Sequence, residues 1–409
     1  MSTLVLDSPA DVISAPGVRA EKKPAPAPSR FYRPELDGLR FFSFLAVFLS
    51  HAHLIKPQQF AGQGPVMAQI GSWLMSLSHL GYPAVAVFFV LSSYLITELL
   101  LREHERTGTI DIRAFYARRA LRIWPLYYCF LISTFFIERW IGMPGIPVGQ
   151  MPWYLAFLGN WQIVTTGTIP RSAAQLLWTV AIEEQFYMVW PLLLVLISPK
   201  RLVWACVALI VAGQATRIYL WQTQASFFAI HFNTFVQFDS IAWGGLLAIA
   251  TRRGWLDHLS AATRWGLMGL GLLIALFTEH YLAGSRPFAA WAVFAYPLFA
   301  LAALAIVAGA MRSQAQATSW LTHPWLLHWG KISYGLYIWH ILAIFLVYKF
   351  GWCPPRSSWT ALYALPLTFG LAELSYYWIE KPFLRWKDRF ARVDSRPADE
   401  TRQPAVAEI

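Results

Sequence analysis

Ten apolar stretches follow one another along the chain, separated by short polar segments: 40–55, 80–101, 120–141, 177–197, 202–221, 235–250, 265–282, 289–311, 333–350 and 358–379. A helix of about 20 apolar residues crosses the roughly 30 Å of bilayer hydrocarbon with its backbone bonds satisfied internally. The pattern therefore predicts an all-α fold, a polytopic transmembrane helix bundle of about ten spans. One further stretch, 151–166, is short and carries Asn160 and Gln162. It reads as a re-entrant or interfacial segment.

The charges give the orientation. With both termini in the cytoplasm, 26 of the 33 Lys and Arg fall on or beside cytoplasmic segments, as the positive-inside rule requires. The rest (Lys56, Arg139, Arg171, Arg217, Arg286, Lys349 and Arg356) lie in or border the outer loops. This topology accounts for the net charge of +11, so nucleic acid is not an expected partner; the lipid bilayer is. Composition agrees: charged residues are 13% of the chain and ACFILMVWY 57%, whereas a soluble domain carries about 25% charged residues. Residues 1–30, rich in Ala, Pro and Ser, read as a disordered cytoplasmic tail and 391–409 as a second, flanking one membrane domain, 31–390. Cys129, Cys206 and Cys353 have no metal-ligand spacing, and no metal is expected.

Ionisable groups inside apolar spans are costly and mark sites by default. Four groups stand out. Arg40 and His51 are eleven residues apart, which puts them on one helix face about 16 Å apart along the axis. The arginine is at the cytoplasmic mouth and the histidine deep, as a long ligand entering anion first would need. Arg118, Arg119 and Arg122 enter the third span at i,i+4 and i,i+3 spacings that let guanidinium forks converge on a phosphate. Glu183 and Glu184 run inward from the outer face and point about 100° apart. Tyr334, Tyr337 and His340 form one stripe at three-residue spacing. Each has a purely structural reading as well: Arg40 and the arginine cluster as topology anchors, Asp37 as a helix N-cap, His51 as an interhelical hydrogen bonder. Together they describe a buried polar core with arginines at its inner mouth, carboxyls toward its outer mouth and two histidines between.

These segments resemble, in order, the motifs of the acyltransferase-3 family of bacterial integral-membrane O-acyltransferases. The resemblance covers about 31–387 and rests on ELDGLRFFSFLAVFLSHAH (35–53), AVFFVLSSYLIT (86–97), RRALRIWPLYY (118–128), LWTVAIEEQFYMVWP (177–191), ISYGLYIWH (332–340) and IEKPFLRW (379–386). It implies transfer of an acyl group, usually acetyl from acetyl-CoA on the cytoplasmic side, to a hydroxyl. Acceptors in the family are mostly sugars of surface polysaccharides such as lipopolysaccharide or of lipid-linked glycans, sometimes macrolides. The implied place is the bacterial cytoplasmic (inner) membrane. The family's arginine–histidine motif falls on Arg40 and His51, its RxxR motif on Arg119 and Arg122, its acidic motif on Glu183 and Glu184, and its late Tyr…His stretch on Tyr334 and His340. There are two departures. The sixth span reads Gln237-Phe-Asp239-Ser-Ile-Ala-Trp-Gly244 where members often have Arg-x-Asp-x-x-x-x-Gly, which leaves Asp239 without that arginine. The familiar Leu-Ser-Gly is Leu91-Ser92-Ser93, expected to widen a helix contact. Some members carry a soluble hydrolase-like domain after the membrane part; nothing of that length follows residue 390 here, so later handling of the acyl group is expected from a separate protein.

On this reading Arg40, Arg118, Arg119 and Arg122 hold the donor phosphates and Tyr334 lines the donor path. His51 acts as general base or accepts the acyl group itself; the sequence leaves both routes open. Glu183 or Glu184 orients His51 or binds sugar hydroxyls from outside, and Asp37, Tyr337, His340 and Asp239 belong to the polar core. A transporter or flippase of an acyl or glycan substrate shares the same intramembrane polar residues and is the competing expectation.

Overall fold

The computed structural model describes residues 31–53, 55, 60, 62–282, 288–311 and 319–390. Both expected tails lie outside the described residues. Among the described residues there is no strand.

The helices, in chain order, are α1 (Pro34–His51), α2 (Pro65–Ser78), α3 (Gly81–Thr107), α4 (Ile112–Trp140), α5 (Met151–Leu155), α6 (Gly159–Thr166), α7 (Leu177–Leu196), α8 (Pro199–Gln222), α9 (Phe227–His231), α10 (Phe238–Arg252), α11 (Ala261–Phe277), α12 (Phe288–Ala310), α13 (Pro324–Lys331), α14 (Ser333–Lys349), α15 (Thr360–Ser375) and α16 (Lys381–Lys387). Local sequence explains their ends. Pro34 opens α1, where its missing N–H costs nothing, and Glu35 and Asp37 sit in the first turn, where the helix dipole favours negative charge. Asp111 caps α4 by accepting from the Ala114 amide at 2.9 Å. Gly108 ends α3 in the left-handed conformation. Asp37 is not an N-cap: that position is Arg33, and the Asp37 carboxylate accepts from Arg40 at 2.7 Å and from the Tyr32 hydroxyl at 3.0 Å.

Each of the ten apolar stretches coincides with a helix. Among the described residues six helical runs are long and apolar enough to cross a bilayer, and the bent pair α13–α14, kinked by 70°, makes a seventh. The other three, α1, α10 and α15, are 18, 15 and 16 residues long. Helix α1 carries three charges in its first two turns. Helix α10 packs against α3, α8 and α12 and so is sheltered by protein. Segment 151–166 is broken into α5 and α6 at Phe157, whose φ is positive.

Large apolar side chains point outward around the bundle, among them Phe136, Leu196, Trp204, Leu273 and Phe294. An exposed apolar belt of this kind is what lipid contact requires. Inside are two apolar clusters. One gathers Phe44, Phe48, Phe130, Ile182 and Leu336, the other Val90, Tyr94, Ala248, Phe299 and Ala303. Helices α3 and α10 meet very closely between Val90 and Gly244. A Cβ on Gly244 would stand 2.4 Å from the Val90 carbonyl oxygen. The serine at 93 does not widen this contact, because its hydroxyl donates across it to the Ile241 carbonyl at 2.6 Å.

Candidate functional site

Two cavities lie back to back in the polar core. The first, of about 110 Å³, is bordered by Arg40, Arg119, Arg122, Ser92, Glu183, Tyr187 and Tyr334. The second, of about 330 Å³, is bordered by His51, His79, Gln175, Trp178, His231, Gln237 and Tyr296. Val85 and Tyr337 border both and form the partition between them. The single channel expected from sequence is thus two chambers with a side-chain wall.

Helix direction places the chambers. Arg40, Arg119 with Arg122, and Tyr334 stand near the starts of α1, α4 and α14. His51 ends α1, and Tyr82, Trp178 and His231 stand near the starts of α3 and α7 and ahead of α10. The chambers therefore extend from their shared wall toward opposite ends of the bundle, with Arg40 and His51 about 16 Å apart along α1.

In the smaller chamber Arg40 is held by Asp37, and Arg119 lies over the rings of Phe115 and Tyr187 at 5.6 and 5.5 Å. Arg118, expected to join them, is turned away: it pairs with Glu103 at 3.1 Å and donates to the Phe390 carbonyl at 2.6 Å. Ser92 donates to Glu183 at 2.7 Å. Glu184 points elsewhere, as its neighbouring position dictates, and accepts from the Trp124 indole at 2.9 Å. The carboxyl of Glu183 thus stands with the arginines, not at the outer mouth, and neither glutamate is bonded to His51 among the described residues.

The partner of His51 is His340. Their rings are 5.1 Å apart, with His340 Nε2 3.3 Å from His51 Nδ1. His340 Nδ1 lies 2.5 Å from the Tyr337 carbonyl and His51 Nδ1 lies 2.9 Å from the Val47 carbonyl. A carbonyl only accepts, so in the neutral pair both Nδ1 atoms carry hydrogen and His340 Nε2 accepts from His51. This leaves the lone pair of His51 Nε2 uncommitted among the described residues, on a ring that borders the larger chamber. His340 is fully buried. The Tyr334–Tyr337–His340 stripe runs along α14: Tyr334 on the arginine chamber with its hydroxyl on the Ile123 carbonyl at 3.2 Å, Tyr337 in the wall with its hydroxyl 2.8 Å from that of Thr179, and His340 behind His51.

Asp239 does have a cation. Arg217 of α8 donates to it at 2.9 Å, with both side chains almost completely buried, and also to the Val236 carbonyl at 2.7 Å. From within α8 this arginine supplies the cation that position 237 does not. Its signal was present in sequence as an ionisable group inside the apolar run 202–221. His231, whose Nδ1 lies 2.5 Å from the Tyr296 hydroxyl, falls in an inter-span segment with no sequence signal.

The fold and site define a multi-pass membrane protein with a cationic chamber and an imidazole chamber in one polar core. The family model described as "Acyltransferase domain" matches residues 33–374, and the chain belongs to that family. Among its relatives are the putative peptidoglycan O-acetyltransferase YrhL of Bacillus subtilis, 27% identical over 384 residues (86% of this chain, 55% of that protein), and the peptidoglycan O-acetyltransferase OatA of Listeria monocytogenes, 27% identical over 380 residues (87% and 56%). The O-acetyltransferase OatA of Staphylococcus aureus is 26% identical over 372 residues (86% and 57%). The chain spans a little over half the length of these curated relatives. No solved structure matches it.

Proposed function

We propose that the chain is a membrane O-acetyltransferase that takes acetyl from acetyl-CoA at the arginine chamber and delivers it to a glycan hydroxyl in the histidine chamber. The observation that carries this reading is the pair of chambers, one cationic and one with an uncommitted imidazole nitrogen, sharing the Tyr337–Val85 wall. The names of the relatives, acetyltransferases of peptidoglycan among them, support a glycan acceptor. The arginine chamber faces the cytoplasm of the bacterial inner membrane in the orientation drawn from the Lys and Arg distribution, with all ten helices spanning and both termini inside.

The donor fits in part. Guanidinium forks suit phosphates, but about 110 Å³ is too small for a nucleotide, which therefore stays at the mouth while the slender pantetheine arm enters. For the thioester to reach His51, the Tyr337 side chain moves aside. The acceptor hydroxyl oxygen then attacks the thioester carbonyl carbon and gives its proton to His51 Nε2. The C–S bond breaks as the ester C–O bond completes, and the proton passes to the departing thiolate, releasing CoA as its thiol. In the transition state His51 becomes an imidazolium, and its Nδ1–H bond to His340 strengthens because the donor is then charged.

The test is transfer of labelled acetyl from acetyl-CoA to membrane glycan by cells or vesicles carrying the protein. General-base catalysis contributes typically 10²–10⁴-fold, so His51→Ala should reduce transfer by about that factor while the protein still reaches the membrane. Undiminished transfer by that variant ends the reading.

A further inference from the structure

The larger chamber has a composition that the transfer chemistry alone does not require. Among the described residues that line it there is no Asp, Glu, Lys or Arg. Its polar groups are amides, hydroxyls and imidazoles, and several are uncommitted. The Gln175 side chain and the Ser240 hydroxyl make no hydrogen bond among the described residues. Gln237 uses its Nε2 on the His231 carbonyl at 3.4 Å, which leaves its Oε1 open. Beside them stands an aromatic wall. Trp178 is half-buried, packs against His231 at 4.9 Å and Phe232 at 5.1 Å and 80°, and borders the chamber. Tyr82 closes the same wall against His231.

We propose that this chamber is a binding site for one neutral pyranose ring, seated against Trp178 with its hydroxyls on Gln175, Gln237 and Ser240. The inference rests on the acyl-transfer reading above and specifies its acceptor. Three physical arguments converge on it. A sugar ring has an apolar C–H face and a polar rim, which match an aromatic surface bordered by amides. Amides and hydroxyls both donate and accept, as sugar hydroxyls do, so each can be paired without a charge. A carboxylate or phosphate brought among these residues would lose its hydration with no Lys or Arg among the described lining residues in return, which is expensive. Size sets the number of rings. A chamber of about 330 Å³ is at the lower end of the roughly 300–1,000 Å³ of small-molecule sites, enough for one sugar unit of a longer chain and not for several.

The experiment measures sugar binding to the purified full chain in nanodiscs, without acetyl-CoA. The probes are two neutral disaccharides, cellobiose and diacetylchitobiose, each beside its uronic-acid counterpart, which adds one carboxylate. At least one neutral disaccharide is expected to bind, with its acid at least about tenfold weaker. Trp178→Leu and, separately, the milder Gln175→Leu should each weaken the neutral sugar about tenfold or more, with acetyl-CoA binding retained as evidence of an intact fold. Absence of binding by both neutral sugars, equal binding of an acid and its neutral partner, or unchanged binding in both variants overturns the proposal. Its failure is distinct from failure of the acyl-transfer reading: that reading falls when His51→Ala transfers acetyl normally, whatever the sugar titration shows.

Discussion

Replacing His340 separates positioning of the base from the base itself. His340 touches neither cavity and is fully buried, so it acts only through His51, across a long 3.3 Å contact. A neutral hydrogen bond of this sort is worth about 0.5–1.5 kcal/mol net, and one with a charged partner about 1.5–3 kcal/mol. The difference, about 1 kcal/mol, is what the contact adds as His51 becomes imidazolium, and it corresponds to roughly a fivefold change in rate. The Val47 carbonyl remains on the same Nδ1–H at 2.9 Å, so the ring keeps its tautomer and the loss stays small. His340→Phe, which packs against the nearby Phe44 and Phe48 rings, is expected to lower kcat for acetyl transfer about fivefold with KM for acetyl-CoA unchanged. His340→Gln, whose side-chain carbonyl can accept from His51, should recover most of the rate. The assay is steady-state labelled acetyl transfer in vesicles with matched protein levels. A loss as large as that of His51→Ala, or a glutamine variant no better than phenylalanine, refutes the hydrogen-bond argument.

Other substitutions test the remaining geometry. Arg119→Ala should raise KM for acetyl-CoA tenfold or more in the same assay, whereas Arg118→Ala, whose guanidinium is bound to Glu103 and the Phe390 carbonyl, should change it less than threefold. Arg217→Ala leaves the Asp239 carboxylate buried without its cation, and removing one partner of such a pair costs about 3–5 kcal/mol; thermal unfolding in detergent should show a large drop, partly restored by adding Asp239→Asn. Gly244→Val forces a side chain into the Val90 carbonyl and should destabilise the protein by at least the roughly 1–3 kcal/mol of ordinary overpacking, read by the same melt.

The helices were legible because hydropathy and the positive-inside asymmetry are properties of continuous segments. Arg40, His51, Glu183, Tyr334 and His340 were legible because ionisable or hydroxyl groups stand out in an apolar run. What sequence did not carry was pairing across helices. Arg217 and Asp239 are 22 residues apart on α8 and α10, and His51 and His340 are separated by 289 positions, so no local pattern connects them. Arg118 and Arg119 look equivalent in sequence. Only the turn of α4, which aims one at Glu103 and the other at the cavity, tells them apart. From sequence Glu183 stands toward the outer mouth, yet its carboxyl accepts from Ser92 of α3 on the arginine chamber. The wall between the chambers was invisible for the same reason, since Val85 and Tyr337 come from different helices.

Transfer between the two chambers requires that donor and acceptor act from opposite faces of the membrane. Sealed proteoliposomes of one orientation, carrying acetyl-CoA on one face and a membrane-impermeant glycan on the other, measure it. Acetylated glycan should form only when acetyl-CoA is on the arginine-chamber face and the glycan on the histidine-chamber face. Product formed with both substrates confined to one face, or acetyl-CoA or glycan carried across with no covalent product in any arrangement, would contradict it.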